Sequence, residues 1–522
     1  MEQPILDGLI EYQTTGCYPW HMPGHKRRLN TIFPELVNNP FSIDVTEVSN
    51  LDEFHDPQGI IQDAFDRAAD IYGSHKSYYL VNGSSCGLLA AISAVCKKGD
   101  SLLVARNSHK SVYNAMRLLQ VNPVYILPEW NAELGMFGGV STEQVKKLLK
   151  QHPNVKGILI VSPTYEGVVS DVEKLAKIAH KSRIPLIVDA AHGAHFEFMS
   201  NVNETLSTTN YKKVPAPAIR QGADLVVESL HKTLPAMTQC AILHENSSLV
   251  DLERLEEFLS IYQSTSPSYV FMASMEACIE KMNHERDGLF IIYKELLAEY
   301  RKKFEQLSHI HLVREEDFKR ECAAGYDGGK LVFSVKNCSI QRGDSRVALT
   351  GAMLSKMLEE EYGQMMEMAG GDYIIAMTSV ADSPESFAAL YEAMEAIDGQ
   401  LSEWEDLSDN IVYSRVPQHF IDMTKARDLP GNKVLLTDAP GRVSRDYIFA
   451  YPPGVPIITP GEVFTGEIVN EICKALDKGL NIKGVRLDEK GNRIVQVTAV
   501  GAQGEKKRSK IKERLWHMKD RK

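Results

Sequence analysis

The residues of this sequence best suited to covalent chemistry are a lysine between two apolar runs and a carboxylate at the end of a third. Lys232 closes the stretch Ser229-Leu230-His231-Lys232, which lies between the runs ADLVV and CAILH. Asp189 ends IPLIVD and is followed by AAHGAH. A lone lysine at a strand rim is usually solvated. One fixed between two buried strands, with Ser229 and His231 beside it, suits imine formation with a carbonyl. A carboxylate on a buried strand is costly unless a cation or several donors meet it. Asp189 is therefore read either as a cap for the next loop or as the partner of a positively charged ring nitrogen. Imine lysine and ring-facing carboxylate together meet the demands of pyridoxal phosphate.

That cofactor also needs a phosphate cradle and a face to stack on. VNGSSCG places Gly83, Ser84, Ser85 and Cys86 between a short strand and the helical stretch GLLAAISAV. Backbone N–H groups at a helix start, with small hydroxyls, hold phosphate well; Ser229 would add a hydroxyl from the lysine loop. His109 in NSHKS, just past the run SLLVA, would stack on the ring or cap the following helix. No metal site is expected: the eight cysteines form no CxxC pair.

These positions require strands to carry them. From about residue 75 to 245 the runs SLLVA, PVYIL, GILIVS, PLIVD, ADLVV and CAILH have strand length and β-branched character. Stretches with helical spacing alternate with them, one carrying a possible capping box at Ser141 and Gln144. Such alternation, with nearly unbroken apolar strands, predicts an α/β fold with a mostly parallel sheet covered on both faces. Active groups then gather at the strand carboxyl ends. Beyond residue 250, two helices split by STSPSY and one long helix lead into a smaller α/β unit. The expected organisation is an N-terminal arm (1–60), a cofactor-binding large domain (61–310), a C-terminal small domain (311–490) and a basic tail (491–522).

Composition sets outer limits. The 522 residues are 43% hydrophobic and 24% charged, with a net charge of −11, which suits a globular protein and disfavours nonspecific nucleic-acid binding. No run suits a transmembrane helix and the acidic start lacks signal-peptide character. With scattered cysteines, this gives a cytoplasmic expectation. The tail KKRSKIKERLWHMKDRK holds nine Lys or Arg against two acids. It reads as a solvated end or as a contact for a subunit or an anionic partner.

The motifs taken in order resemble those of the Orn/Lys/Arg decarboxylase family, bacterial enzymes with the aspartate-aminotransferase fold (fold type I of the pyridoxal-phosphate-dependent transferases). WHMPGHKRR is similar to the family's opening, NGSSCG, NSHKS, SPTYEG, VDAAHGAH, SLHK and STSPSY follow in its order, and YPPGVPIITPGE resembles its C-terminal signature. The resemblance covers nearly the whole chain. It implies that Lys232 links to the cofactor, Asp189 pairs with its ring nitrogen, His109 stacks on the ring and His192 lies beside it. Ser84, Ser85, Cys86, Ser229 and His231 would surround the phosphate or the lysine loop. Thr265 and Ser266 would reach the phosphate in a neighbouring subunit, making a homodimer the smallest working unit. Cys86 stands where the family commonly has Thr or Ser. PGHK begins at position 23, so the receiver-like domain of the long inducible members is not expected, nor are their decamers or nucleotide control.

The implied reaction is α-decarboxylation of a basic amino acid, arginine first, then lysine or ornithine, the proton at Cα coming from Lys232 or His231. Glu462 is the leading carboxylate for the substrate's distal cation; Asp44, Glu47 and Asp52 are the others. The rivals are an aminotransferase or another lyase on the same fold, for which Arg442 or Arg445 would grip the α-carboxylate, and a non-catalytic protein that kept the fold.

Overall fold

The computed structural model describes residues 4–28, 39–48, 51–202, 214–404, 416–451, 454–477 and 479–499. The apolar runs form a seven-stranded sheet of β1 (Lys76–Leu80), β2 (Ser101–Ala105), β3 (Asn122–Ile126), β4 (Ile158–Val161), β5 (Leu186–Asp189), β6 (Leu225–Glu228) and β7 (Ala241–Glu245). Their order is β1-β7-β6-β5-β4-β2-β3. Only β7 runs against its neighbours. Alternate residues feed opposite faces. Leu102, Val104, Leu159, Ile187 and Val227 meet helices α1 (Gly83–Val95) and α2 (Lys110–Leu119) on one side. Leu103, Ile158, Ile160, Val188 and Val226 meet α3 (Thr142–Gln151) and α4 (Val172–Lys181) on the other. Burial on both faces explains why these strands read as continuous apolar runs.

Local signals mostly hold. The Ser141 hydroxyl accepts from Gln144 N at 3.4 Å and starts α3. The expected capping box is only half made, since Gln144 Oε1 is buried without a partner. The Ser/Thr/Pro break separates α5 (Leu252–Tyr262) from α6 (Tyr269–His284), and α7 (Arg286–Phe304) follows. It leads into an antiparallel sheet of His311–Leu312, Lys330–Ser334, Tyr373–Met377 and Met368–Ala369. One apolar cluster joins this sheet to the arm and α7, running from Trp20 to Leu401. A separate core, from Leu436 to Val497, lies beyond it, so the 311–490 stretch does not share a single core. Arg493–Thr498, within the expected tail, is a strand of that second core. The rest of the tail, from residue 500, lies outside the described residues. No helix among the described residues is long and apolar enough to cross a membrane.

The arm reaches the lysine loop. Tyr18–Trp20 pairs in parallel with Gln364–Met366, and the indole of the fully buried Trp20 donates to Gln364 Oε1 at 2.7 Å. Gly24 of PGHK then donates its N–H to His231 O at 2.8 Å. A Cβ at Gly24 would meet Leu234 O at 2.7 Å, so only glycine lets the arm come this close. Lys26, 3% exposed, donates to Met377 O at 2.6 Å and Pro19 O at 3.1 Å.

Candidate active site

A cavity of about 470 Å³ opens at the carboxyl ends of the central strands, and Asp189, Lys232, His192, His109, His231, Ser84 and Ser85 all line it. Asp189 ends β5 beside β6, with Val227 its register partner. The chain leaves β6 and turns into the short helix Leu230–Thr233, which carries Lys232 back over the strand ends. Asp189 is 3% exposed and accepts one backbone bond, from Ala191 at 3.2 Å. Burial raises its pKa, and the Lys232 amine pulls the other way. Burial lowers the pKa of Lys232 in turn, against Asp189 and Glu367. The Lys232 Nζ lies 3.1 Å from His192 Nε2. His192 is buried, and burial plus the amines of Lys232 and Lys330 hold it well below the usual imidazole range.

The histidines are specialised by their contacts. His109 both caps α2 and faces the cavity, so the two readings of it are compatible. Its Nδ1 accepts from Ser111 N at 3.3 Å and meets Ser111 Oγ at 2.9 Å. Burial, with Lys232 and Lys110, pushes its pKa down to about 4, leaving a neutral ring. His231 is also pushed down to about 4 by burial. Its Nδ1 lies 2.9 Å from Cys240 O. A carbonyl only accepts, so the ring proton sits on Nδ1 and neutral His231 has none on Nε2.

The opposite end of the cavity offers donors. Gly83 adopts φ +77° at the start of α1, and Asn82 makes no side-chain cap there, leaving first-turn N–H groups beside Ser84 and Ser85. Asn107 Oδ1, an acceptor on the wall, and the hydroxyls of Ser108 and Ser229, which do not line it, are buried with no partner among the described residues. A buried lysine and a buried carboxylate on one cavity wall, with an uncapped helix start and the hydroxyls of Ser84 and Ser85 opposite, fit pyridoxal phosphate.

Several expected residues lie elsewhere. Cys86 turns into the core: its thiol donates to Gly83 O at 3.0 Å, and burial pushes its pKa up to about 12. Ser229 is buried behind the wall rather than lining it. Glu462, proposed for the substrate, is absent from the cavity wall and takes both guanidinium nitrogens of Arg106, at 2.8 and 2.9 Å, plus Thr459 N at 2.7 Å. Asp52 caps its own loop, accepting from Gly59 at 2.8 Å and Gln58 at 2.9 Å; these bonds outweigh partial burial and bring its pKa down to about 2. Glu47 accepts from Phe54 N at 2.9 Å, and neither it nor Asp44 lines the cavity. Thr265 and Ser266 are exposed between α5 and α6, away from this cavity.

Among the wall residues that sequence reasoning did not single out are Asn107, Tyr165, Glu166 and Glu367. The Tyr165 ring meets His192 edge-on at 4.7 Å and its hydroxyl donates to Glu367, whose other oxygen accepts from Met22 N at 2.8 Å. Glu166 is buried, accepts from Tyr373 OH at 3.1 Å and has its pKa raised by burial. The signal for Tyr165 and Glu166 was SPTYEG, at the end of β4, a position equivalent to that of Asp189.

The family model described as "Orn/Lys/Arg decarboxylase, major domain" matches residues 3–383 and that of the family's C-terminal domain matches 424–500. The chain belongs to the Orn/Lys/Arg decarboxylase family. Its members decarboxylate basic amino acids, and this chain is such an enzyme by that membership. It is similar to the arginine decarboxylase of Bacillus subtilis, at 32% identity over 92% of this chain and 95% of the relative. It is similar to that of Bacillus anthracis at 29%, with the same coverage. The constitutive lysine decarboxylase of E. coli, 19% identical, shares the fold with a TM-score of 0.70 over 95% of this chain and 82% of that one. The fold is thus the fold type I architecture of pyridoxal-phosphate-dependent enzymes expected from the motifs, and the family implies that cofactor.

Proposed function

We propose that the enzyme converts L-arginine to its amine and CO₂, with pyridoxal phosphate carried by Lys232. The observation that supports this most is that Asp189, at the end of β5, and Lys232, in the short helix after β6, line one cavity with His192 at hydrogen-bond distance from the lysine. Ser84, Ser85 and the first N–H groups of α1 would hold the phosphate, His109 would cover the ring, and Asp189 would keep its nitrogen protonated. Bound there, the cofactor supplies the electron sink for the pair released when the Cα–carboxylate bond breaks. The proton returned to Cα is assigned to Lys232, because neutral His231 has its proton committed to Cys240 O. The working unit is proposed as a cytoplasmic homodimer, with Thr265 and Ser266 reaching the neighbouring subunit's phosphate.

Glu166 is proposed to meet the distal cation. Among the described residues no lysine or arginine pairs with it, and it is buried in the cavity wall. The cavity wall contains no arginine among its described residues, and Arg442 and Arg445 are bonded to Asp438 O and Leu429 O. That disfavours an aminotransferase, which needs a lasting grip on the α-carboxylate. The relatives named arginine decarboxylase favour arginine over lysine. The test is a panel of L-arginine, L-lysine and L-ornithine scored for CO₂ and for 2-oxo acid. Arginine should release CO₂ fastest, and Glu166→Gln should lower kcat/KM for it roughly 10- to 150-fold, the value of a charge-assisted hydrogen bond. Oxo acid without CO₂ would overturn the reaction, and an unchanged Glu166→Gln would overturn the distal contact.

A further inference from the structure

His192 stands between two amines. Lys232 Nζ lies 3.1 Å from its Nε2, and Lys330 Nζ lies 3.3 Å from its Nδ1. Lys330 begins the strand Lys330–Ser334, is 1% exposed and does not line the cavity. The proton count on this row is restrictive. An ammonium only donates, so two charged lysines would require both ring nitrogens to accept, which no neutral imidazole can do. A charged His192 would donate from both nitrogens and require both amines to be neutral. Burial, Lys232 and Lys330 all disfavour that cation. His192 is therefore neutral, with one N–H and one lone pair; one lysine donates to it and the other accepts.

The surroundings decide which. Lys330 is flanked by Asp327, whose Oδ1 holds His195 Nε2 at 3.2 Å and whose Oδ2 is buried with no hydrogen-bond partner among the described residues. Glu367 also favours charge on Lys330, while Lys232 and Lys26 oppose it, and burial brings its pKa down to about 8. Lys330 thus remains mostly charged at neutral pH. Lys232 feels Asp189 and Glu367 but must present a lone pair to form any covalent bond. His109, His231 and Tyr165 complete the groups facing His192.

We infer that Lys330, as an ammonium, donates to His192 Nδ1 and so fixes the ring proton on Nε2, where it faces Lys232 and holds that amine in its unprotonated, nucleophilic form. Lys330 is a positioning residue: it touches neither cofactor nor substrate and acts through His192. This rests on Lys232 being the cofactor lysine.

The experiment follows Lys232 itself in the full chain stripped of cofactor. Reductive methylation with formaldehyde and cyanoborohydride, read by mass spectrometry, gives the pH midpoint at which Lys232 becomes reactive. Lys330→Met should raise that midpoint by about one pH unit. Lys330→Gln, which can still donate to Nδ1 without a charge, should raise it by less than half as much. No shift in Lys330→Met, or equal shifts in both variants, would overturn the inference. Independently, ¹⁵N-histidine spectra of the wild-type chain, assigned with His192→Asn, should show a protonated Nε2 and a bare Nδ1; the opposite tautomer would overturn it even if a Lys330 variant failed to fold. Failure of the cofactor reading shows differently: borohydride treatment of wild type with pyridoxal phosphate would then leave Lys232 unmodified.

Discussion

The substitution Glu462→Ala separates two incompatible roles for one residue. The motif PGE marks it as a substrate contact; the folded chain buries it completely against Arg106, which is itself 4% exposed. Burial opposes the Arg106 charge, but the Glu462 carboxylate more than offsets this and raises its pKa. The guanidinium also lies 4.6 Å from the centre of the Tyr125 ring and donates to Ile457 O at 3.2 Å. The pair therefore fastens the second core to the end of β2. Removing the carboxylate strands a buried cation and leaves Thr459 N without its acceptor, at a cost of about 3–5 kcal/mol. That is roughly two to nearly four powers of ten in the folding equilibrium. Urea unfolding followed by circular dichroism should show an early transition as the second core loosens, while KM for arginine at low urea stays within about twofold of wild type. Arg106→Met combined with Glu462→Met should recover much of the loss, because two apolar side chains leave no stranded charge. A tenfold rise in KM with unchanged unfolding would refute the structural role and restore Glu462 to the substrate.

Three further outcomes are expected. Asp189→Asn should lower kcat roughly 10²- to 10⁴-fold while Lys232 can still be trapped on the cofactor by borohydride; near-normal turnover would remove its assigned role. In the chain stripped of cofactor, His109 and His231 have folded pKa values of about 4 against about 6.5 when unfolded. The unfolded state thus binds more protons between these values. The stability from their neutral burial is present above about pH 6.5 and lost as pH falls toward 4, by about 3 kcal/mol for each ring. His109→Gln should flatten that part of the urea-midpoint profile, and an unaltered profile would count against a buried neutral His109. Finally, Lys232→Ala subunits mixed with Thr265→Ala/Ser266→Ala subunits should regain about a quarter of wild-type activity, since half the dimers are mixed and each has one intact site. No recovery would remove the shared site.

What the sequence made legible follows from range. Strand runs declare themselves through burial on both faces, and Asp189 and Lys232 stand out because a charge at the end of such a run needs a reason. The phosphate turn was legible as a location, but not which side chain serves it: helical geometry turns one residue of the first turn inward, here the Cys86 thiol, and nothing in NGSSCG says which. Glu462 stands apart from the cavity for a different reason. Its partner Arg106 is 356 positions away, and no local pattern reveals whether a carboxylate will find a cation from the protein or from a ligand. Glu166 and Lys330 are the converse case. Their importance comes from what approaches them in space, a cavity and a histidine ring, and each looks like an ordinary charged residue in its own segment.

The docking of Pro-Gly-His-Lys onto the lysine loop ties the reactive amine to a distant part of the polypeptide. The arm that braces the loop at His231 O is itself seated by the strand Gln364–Met366, so a substitution that loosens this pairing would be felt at Lys232 without touching the cavity. A fragment ending before Gln364 would possess the seven-stranded sheet and still lack the strand that seats the arm.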